Sequence, residues 1–472
     1  MTCIESLDEE AQACRAELER TRVAGEVITD SFFHWLRGER GPFNVIVGNP
    51  PFIRYQFVPN DDRGLAEWLL AARGHDLHGV SNYWIPFVLL SLDLLRPGGV
   101  FSLVLPSELL ATVSGGQVRA ELIRRFDSLR VDLYPRSTFP TILQDVLILS
   151  GVRDETTANA RTVTFAEHAQ GSQREWQHKV VASSDSWTRY LLTANEWEAF
   201  QAARRLPEFQ QLRQVATLSV AIVTGANDYF TVDDRTLTKY RLMEWARPLL
   251  ARTADSPGII FTGRDLAAAR EGGKKCWLLD FSAGRPEPAS CQPAASYLQK
   301  GERASLHKRY KCRIRSPWYR VPHVQQGAIM MAKRSHQHHR LILNEAGVFT
   351  TDTIYRGDMA SAYQYRERDL VAAFHNSVTM LSAEVEGRTY GGGVLELVPS
   401  EIGRLTVPMI DTRNSIWKVD GISRHTGGQR DPDDRVIEAT DALLCERIPG
   451  FRELQQIVRD ARIRLRDRRF FG

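Results

Sequence analysis

A short apolar run that ends in a rigid turn is the feature of this sequence that most restricts its fold. Residues 43–47 are compact and apolar, and a glycine then leads into Asn49, Pro50, Pro51 and Phe52. The apolar run predicts a strand. Each proline fixes φ and lacks a backbone donor, and the residue before a proline is held extended. The loop is therefore stiff, and it presents the side-chain oxygen of Asn49 and the carbonyl of Pro50 beside an aromatic face.

Predicted strands and helices alternate on both sides of this turn. Helical patterns cover residues 8–22, 32–36, 83–95 and 116–127, and strand patterns cover 27–30, 43–47, 100–105, 129–133 and 146–149. This alternation is typical of the α/β class with a parallel or mixed sheet. In such sheets ligands collect at the carboxyl ends of strands. The Asn-Pro-Pro-Phe loop directly follows one of these ends.

The alternation stops near Gly151, which predicts four regions along the 472 residues. They are an α/β domain at 1–152, a polar linker at 153–185, a mixed α+β domain at 186–410 and a helical extension at 411–472. Within the extension we expect a loop at 411–431, followed by helices at 433–447 and 450–468.

The composition restricts the cellular setting and the cofactor chemistry. No apolar stretch is long enough for a membrane span, and the acidic N-terminus does not have the pattern of a secretion signal. The cysteines are scattered and form no CxxC pair, which suits a reducing compartment. We therefore expect a cytoplasmic protein. Three histidines lie close together but lack a matched set of metal ligands, so we expect no metal and a surface loop near phosphate: His336, His338 and His339.

Positive charge is concentrated in one part of the chain, although the net charge is only +4. Between Lys300 and Arg340 a single acid, Glu302, opposes many cations, and aromatic residues lie among them. Such a stretch is equally compatible with a solvated basic face and with phosphate contacts and base stacking. The residues predicted to contact DNA are Arg313, Arg315, Lys333, Arg334 and Arg340.

The Asn-Pro-Pro-Phe loop suits the transfer of a methyl group to an exocyclic amino nitrogen. That nitrogen is a poor nucleophile, because its lone pair is delocalised into the ring of the base. Two acceptors on its hydrogens favour a pyramidal nitrogen and stabilise the positive charge that grows during attack. The aromatic face holds the base in line, and neither a strong base nor a metal is needed. For the four residues alone, a Pro-Pro turn that closes a core strand is an equal alternative.

The loop and its context resemble the γ-class DNA adenine-N6 methyltransferases of the TaqI-like type, over about residues 3–410. In that family the loop is the catalytic motif, written NPPY or NPPF. The resemblance implies that Asn49 and Pro50 bind the target amino group and that Phe52 stacks on the adenine. Phe139, within Thr-Phe-Pro, resembles a later motif whose aromatic ring packs on the other face of the base. A base held between two rings has left the duplex, so base flipping is implied.

The same resemblance implies S-adenosylmethionine as the cofactor. Glu5 resembles the acid that binds the ribose hydroxyls, and Asp30 resembles the acid that bonds the adenine amino group, with Phe32 or Phe33 covering the ring. The family's glycine-rich strand-turn-helix is absent before Glu5. We therefore expect a class I, Rossmann-like sheet that is incomplete at its N-terminus. Either the chain is shortened, or a second chain supplies the missing strand, or the protein no longer methylates.

Two further segments, 223–230 and 389–397, resemble those that open and close the family's target-recognition domain. They imply double-stranded DNA as a partner and a role in restriction-modification or phage defence, with any restriction endonuclease as a separate protein. The alternative is a non-catalytic DNA-binding specificity subunit or half of a split methyltransferase. Methyltransferases of ribosomal RNA or of protein glutamine carry a similar loop, but they usually lack a long recognition domain.

Overall fold

A computed structural model of the chain contains two compact units, Met1–Ala194 and Asn195–Phe470. The residues that the structure describes are 1–75, 82–134, 138, 146–153, 161–169, 172–180, 186–282, 284–322, 325–390, 392–425 and 434–471. Within these ranges, no helix is both long enough and apolar enough to cross a membrane.

The first unit alternates strands and helices, as predicted. Its strands are β1 (Thr2–Glu5), β2 (Glu26–Thr29), β3 (Phe43–Gly48), β4 (Leu95–Pro106), β5 (Phe126–Leu133), β6 (Val146–Arg153), β7 (Arg161–Ala169) and β8 (Ser172–Val180). Its helices are α1 (Asp8–Thr21), α2 (Phe32–Trp35), α3 (Asn60–Ala72), α4 (Trp84–Asp93), α5 (Glu108–Ala111) and α6 (Gly116–Arg125). The α/β prediction is confirmed. Helix α1 begins with three acids, which complement the positive end of the helix dipole. Arg22, the residue that follows its last turn, has a left-handed φ of 53°, a conformation that commonly ends a helix.

The strands of this unit form two sheets. Strands β1 and β2 pair in parallel, with Glu5 opposite Thr29. The other six are ordered β3-β4-β6-β5-β7-β8, and the β3/β4 and β5/β7 pairs are parallel. Helix α4 packs on β4 and helix α6 packs on β5. The core between these layers is built from large apolar side chains that include Trp84, Val88, Phe101, Val131 and Leu147, all fully buried.

The prediction of a linker over 153–185 is wrong, because β7 and β8 extend the six-stranded sheet there. Val163 and Phe165 of β7 are fully buried, and so is most of Trp176 in β8. Polar residues alternate with them, as expected for strands near a sheet edge that have one solvated face. That alternation keeps the average composition polar, which hid the strands. The first unit therefore extends to Ala194 rather than to residue 152.

The second unit is a mixed α+β structure, as predicted for residues 186–410. Its strands are β9 (Phe209–Gln211), β10 (Ala216–Ser219), β11 (Thr231–Val232), β12 (Ala246–Pro248), β13 (Ile260–Phe261), β14 (Trp277–Leu279), β15 (Ile329–Ala332), β16 (Arg334–Ser335), β17 (Leu341–Asn344), β18 (Ile354–Met359), β19 (Arg388–Tyr390), β20 (Val394–Glu396) and β21 (Thr406–Pro408). Its helices are α7 (Ala194–Arg205), α8 (Leu212–Val215), α9 (Asn227–Phe230), α10 (Asp234–Tyr240), α11 (Gly263–Glu271), α12 (Gln292–Arg303), α13 (Tyr310–Arg313), α14 (Glu367–Phe374), α15 (Ser377–Glu386), α16 (Pro399–Ile402), α17 (Ile416–His425), α18 (Asp434–Arg447) and α19 (Phe451–Phe471).

A five-stranded sheet, ordered β10-β18-β15-β17-β13, lies at the centre of this unit. Helices α14 and α15 supply much of the apolar surface that covers it, together with α17 and α18. A separate core forms around the three strands β11-β14-β12 and helix α12. A third, smaller cluster includes Phe261, Met330 and Ile342. The second unit therefore has several apolar centres, one of which includes residues from the C-terminal helices.

The prediction of a separate extension at 411–472 is also wrong. Helix α17 (Ile416–His425) lies within the predicted loop at 411–431, and Ile416 on it is fully buried. Val436 and Ile437 of α18 pack in the same core as the central sheet. The helices predicted at 433–447 and 450–468 are confirmed as α18 and α19. Because their apolar faces complete the core, these helices belong to the second unit.

Candidate active site

The Asn-Pro-Pro-Phe loop follows the carboxyl end of β3, as the sequence predicts. Asn49 is exposed, Pro50 is buried, and Pro51 and Phe52 are half-buried. No hydrogen bond within the described part of the chain engages the Asn49 side chain. Its amide oxygen is therefore open to a ligand, while the prolines hold the backbone stiff.

Residues that start α4 hold the far side of this loop. The backbone N–H of Tyr83 donates to the carbonyl of Ile53 at 2.8 Å, and Asn82 forms a β-bridge with Arg54. Burial and the carboxylate of Asp62 raise the pKa of Tyr83, so its hydroxyl stays a neutral donor. The residue that follows Phe52 is thus fixed by a buried tyrosine.

Asp62, in the first turn of α3, links this loop to the loop that follows β2. The hydroxyl of Ser31 donates to Asp62 Oδ1 at 2.9 Å, and Tyr83 also hydrogen-bonds Asp62. His34 Nε2 lies 3.7 Å from the same oxygen. These linking residues could not be predicted from the sequence, where the position of Ser31 directly after Asp30 is the only signal.

The two predicted cofactor acids lie side by side, because they follow neighbouring parallel strands. The N–H of Asp30 donates to the carbonyl of Glu5 at 3.1 Å. One oxygen of Glu5 accepts the N–H of Leu7 at 3.0 Å, and one oxygen of Asp30 accepts the N–H of Ser31 at 2.7 Å. No hydrogen bond among the described residues uses the second oxygen of either carboxylate. Each acid can therefore still accept a hydrogen bond from a ligand.

Phe32 and Phe33 do not present a free aromatic face. They are only 9% and 1% exposed. The ring of Phe32 stacks on Phe87 at 4.1 Å between centroids, and the ring of Phe33 lies 5.0 Å from that of Tyr83. The expectation that one of them covers a cofactor ring therefore finds no support in this geometry. Their role here is to anchor α2 to α4.

Strand β3 has an open side. Its only partner among the described strands is β4, and Val45 and Val47 are 60% and 69% exposed. Strands in parallel sheets are normally covered on both faces. No glycine-rich strand-turn-helix adjoins β1 or β3 within the described ranges. The residues present thus fit the adenosine end of S-adenosylmethionine, through Glu5 and Asp30, but not its methionine end.

Phe139, the predicted second stacking residue, lies outside the described residues, and the preceding Thr138 is exposed. The chain enters this segment from the carboxyl end of β5. There Tyr134 stacks on His168 with 4.5 Å between ring centroids, and His168 Nε2 lies 2.8 Å from Asp132.

The predicted DNA-contact residues have different environments. Arg313 is exposed, and no ion pair within the described ranges includes it. Arg315 instead donates to the carbonyls of Thr224 and Val223 at 2.8 and 2.6 Å. Arg340 is 4% exposed and donates to the carbonyl of Ser256. Arg313 is thus available to a ligand, whereas Arg315 and Arg340 hold the protein's own backbone.

The remaining two, Lys333 and Arg334, share one acid. Both pair with Glu396, with Lys333 Nζ 3.4 Å from its carboxylate. The Arg334 side chain is 63% exposed. Their charge is therefore partly neutralised, although both side chains reach the surface.

Two of the three histidines do not lie at the surface as we expected, whereas His336 is exposed. His338 and His339 are 3% and 1% exposed. Burial lowers the pKa of His338, whose Nε2 lies 3.4 Å from Asp434. Arg462 of α19 pairs with the same carboxylate at 2.9 Å. His338 is buried with polar partners that the C-terminal helices α18 and α19 supply.

Most arginines of the basic helix α19 pair with acids of the protein itself. Four further arginines pair with acids of the same unit: Arg459 with Glu438, Arg464 with Glu196, Arg466 with Asp434, and Arg469 with Glu384. Gly393, in the β19–β20 hairpin, has a φ of 71°, and a Cβ there would lie 3.1 Å from the carbonyl of Arg469. The close approach that this glycine permits is therefore to α19. Gly391 lies outside the described residues.

Comparison with protein families gives two matches along the chain. The family model described as "Type II methyltransferase M.Eco57I, C-terminal domain" matches residues 184–444. The model described as "Eco57I restriction-modification methylase" matches residues 4–128. Type II methyltransferase M.AccI of Acinetobacter calcoaceticus is 21% identical over 396 residues, which is 80% of this chain and 71% of that protein. Type II methyltransferase M.XhoI of Xanthomonas vasicola is 25% identical over 405 residues, which is 78% of this chain and 68% of that protein.

Two of the solved structures that resemble the chain are larger than it is. The type IIG restriction endonuclease BpuSI aligns with 95% of this chain and 56% of its own, with 15% identity and a TM-score of 0.40. The type IIL restriction-modification enzyme MmeI, solved in complex with DNA, aligns with 91% of this chain and 55% of its own, with 10% identity and a TM-score of 0.45. The chain thus spans about half the length of these two proteins.

Proposed function

We propose, since this chain belongs to the M.Eco57I family of type II methyltransferases, that it transfers a methyl group to N6 of adenine in double-stranded DNA. The family methylates DNA in restriction-modification, and S-adenosylmethionine is its cofactor. One observation supports adenine as the target. Asn49 stands exposed at the carboxyl end of β3, in a stiff loop of the NPPF type that is typical of the γ-class enzymes.

In the proposed reaction, Asn49 and Pro50 bind the target amino group. The side-chain oxygen of Asn49 and the carbonyl of Pro50 accept its two hydrogens, which favours the pyramidal nitrogen that can attack. Phe52 packs on the flipped adenine, and Phe139 is proposed for its other face. When bound, S-adenosylmethionine supplies the electrophilic methyl group. Asn49 is exposed to water, which takes the proton that the methylated nitrogen releases.

The acids after β1 and β2 are proposed to hold the cofactor's adenosine end. Glu5 accepts hydrogen bonds from the ribose hydroxyls, and Asp30 accepts one from the adenine amino group, each through the oxygen that has no partner among the described residues. Ser31 and Asp62 join this site to the catalytic loop through Tyr83. A shift of either loop is therefore transmitted to the other.

The open side of β3 supports a further part of the proposal. A glycine-rich strand-turn-helix whose strand pairs with β3 would place its helix over the exposed Val45 and Val47 and would cradle the methionine end of the cofactor. We propose that such a strand completes the Rossmann-like sheet; in the second candidate below, a second polypeptide supplies it. The cognate restriction endonuclease is proposed to be a separate protein, and the second unit is proposed as the target-recognition domain.

The second candidate is a non-catalytic DNA-binding specificity subunit, or half of a split methyltransferase. The exposed valines of β3 favour it, because they leave the cofactor side of the first unit uncovered. The two candidates differ in what the chain does alone, since a subunit without a complete cofactor site binds DNA but transfers no methyl group.

The deciding experiment uses the purified chain of residues 1–472. Calorimetric titration with S-adenosylmethionine, with an Asp30→Asn variant as control, measures cofactor binding. A tritiated-methyl transfer assay on mixed-sequence DNA follows, with chromatography of the digested nucleosides. N6-methyladenine supports the proposal, and a different methylated base refutes adenine as the target. DNA binding without cofactor binding or transfer selects the second candidate.

A further inference from the structure

We propose that a basic knuckle, residues 308–314, is a direct DNA-contact element of the second unit, in which cations bind phosphates and an apolar pair packs into a groove. The knuckle comprises helix α13 and the residues on either side of it. This inference rests on the proposed function, since that function makes DNA the substrate.

The surface of the knuckle combines free charge with exposed apolar area. Tyr310 and Ile314 are 64% and 63% exposed. They lie one helical turn apart, with the N–H of Ile314 directed at the carbonyl of Tyr310, so their side chains share one face. Four cations around them are exposed, and none forms an ion pair within the described part of the chain: Lys308, Arg309, Lys311 and Arg313.

The underside of the knuckle is firmly anchored. Leu306 and Cys312 are 5% and 0% exposed and belong to the core around helix α12. Arg315 donates to two carbonyls of the turn at Val223 and Thr224, at 2.6 and 2.8 Å. The exposed residues are therefore presented on a fixed support, and binding a ligand costs little ordering entropy.

Gly225 permits the close approach of that turn to the knuckle. Its φ is 79°, and a Cβ at this position would lie 2.8 Å from Cβ of Lys311. A left-handed residue in close contact with another backbone requires glycine. The segment at 223–230, which the sequence marks only by resemblance, is thus the physical support of the basic surface.

Charge and apolarity together identify the partner. Clustered like charges repel one another, and an exposed apolar pair between them is unfavourable in water, so the arrangement suits a ligand that offers both anions and apolar surface. Duplex DNA has phosphates along its backbone and base and sugar surfaces between them. Elsewhere in the basic stretch, Arg340 is buried and Glu396 neutralises Lys333 and Arg334. The knuckle therefore groups four exposed cations of this stretch that no acid among the described residues neutralises.

The test is fluorescence anisotropy of the full chain with a labelled mixed-sequence duplex, measured over a series of salt concentrations. Tyr310→Ala should weaken binding about tenfold and leave the salt dependence unchanged, because the lost contact is apolar. Its matched control is Tyr365→Ala, since Tyr365 is 84% exposed in the same unit. Arg313→Ala should make the negative slope of log K against log salt shallower by about 0.9, because one phosphate contact is lost. Its control is Arg264→Ala, an exposed arginine on α11.

The outcomes separate this inference from the proposed function. Loss of affinity in Tyr310→Ala but not in Tyr365→Ala, with the reduced slope confined to Arg313→Ala, supports the knuckle. DNA binding that is the same for wild type and both knuckle variants overturns the inference and leaves DNA as the substrate. A wild-type chain that binds no duplex at any salt concentration refutes both.

Discussion

The two units of this chain differ in how they treat their apolar strands. In the second unit β15 lies between β17 and β18, and Ile329, Met330 and Met331 are fully buried. In the first unit β3 exposes Val45 and Val47. The second unit therefore buries the apolar strands of its central sheet with its own residues. The first unit leaves one side of β3 open, where a further segment could pack.

The units also differ in how they use charge. The second unit pairs most arginines of its C-terminal helix with its own acids and leaves the basic knuckle free. The first unit leaves Asn49 and one oxygen each of Glu5 and Asp30 without partners among the described residues. This contrast supports the proposal that the first unit performs the methyl transfer and the second binds the duplex.

The largest expected effect is that of Arg469→Ala, which tests whether the second unit depends on a buried ion pair between its own residues. The Arg469 and Glu384 side chains are 2% and 6% exposed and pair at 2.8 Å. Removing the arginine leaves a buried carboxylate unpaired, which should cost about 3–5 kcal/mol in the free energy of unfolding. Urea denaturation measures it. Arg459→Ala is the control, because that pair is largely solvated and should contribute under about 1 kcal/mol. Equal losses would mean that α19 does not depend on its buried pair.

Asn49→Ala tests whether methyl transfer depends on the first unit while DNA binding does not. Loss of an acceptor that acts on the transition state should reduce methyl transfer about 10²–10³-fold, while DNA affinity stays close to the wild-type value. Methyl-transfer assays and anisotropy measure the two quantities. Asn60→Ala is the matched control, since Asn60 is exposed on α3 and bonds Arg63. A parallel loss of transfer and DNA binding would instead assign the loop a structural role.

The acid sensitivity of the second unit follows from His375. Full burial lowers its pKa to about 3, below the value of about 6.5 in an unfolded chain. Below pH 6.5 the unfolded state binds the extra proton, so the stabilisation present above that pH is lost as the pH falls towards 3. For this residue the loss should reach about 2 kcal/mol at pH 5. Urea unfolding at pH 7 and pH 5 measures it.

A His375→Gln variant sharpens this measurement, because glutamine can still accept the N–H of Leu341 that His375 accepts at 3.3 Å. The variant should lose less stability between the two pH values than the wild type does. Equal stability of the wild type at pH 7 and pH 5 would show that His375 is not held neutral.

The smallest expected effect comes from comparing an exposed position of β3 with a buried position of β5 in the same sheet. Val47→Thr places a hydroxyl at an exposed position, so it should change the free energy of unfolding by under about 0.5 kcal/mol. Val131→Thr places the same group at a fully buried position of β5 and should cost about 1–3 kcal/mol. Chemical denaturation measures both. If Val47→Thr proves as costly as Val131→Thr, that side of β3 is covered in solution.

Local pattern was sufficient for much of the fold. Residues 43–47 and the helix at 8–22 could be predicted because their periodicity and end signals lie within a few neighbouring positions. The same holds for the Asn-Pro-Pro-Phe loop, since two prolines fix its shape wherever it lies. β7 and β8 escaped prediction, because an alternating strand with a solvated face has the average composition of a linker.

The roles of individual charged and aromatic residues depended on contacts between distant segments. Arg313 and Arg315 are two positions apart, yet one is exposed and the other holds the carbonyl of Thr224. Phe32 is covered by Phe87 of α4, and His338 is drawn to Asp434 of α18. The sequence shows which side chains are charged or aromatic. Burial and pairing depend on which partners the folded chain brings within a few ångströms, and those partners lie tens to more than a hundred positions away.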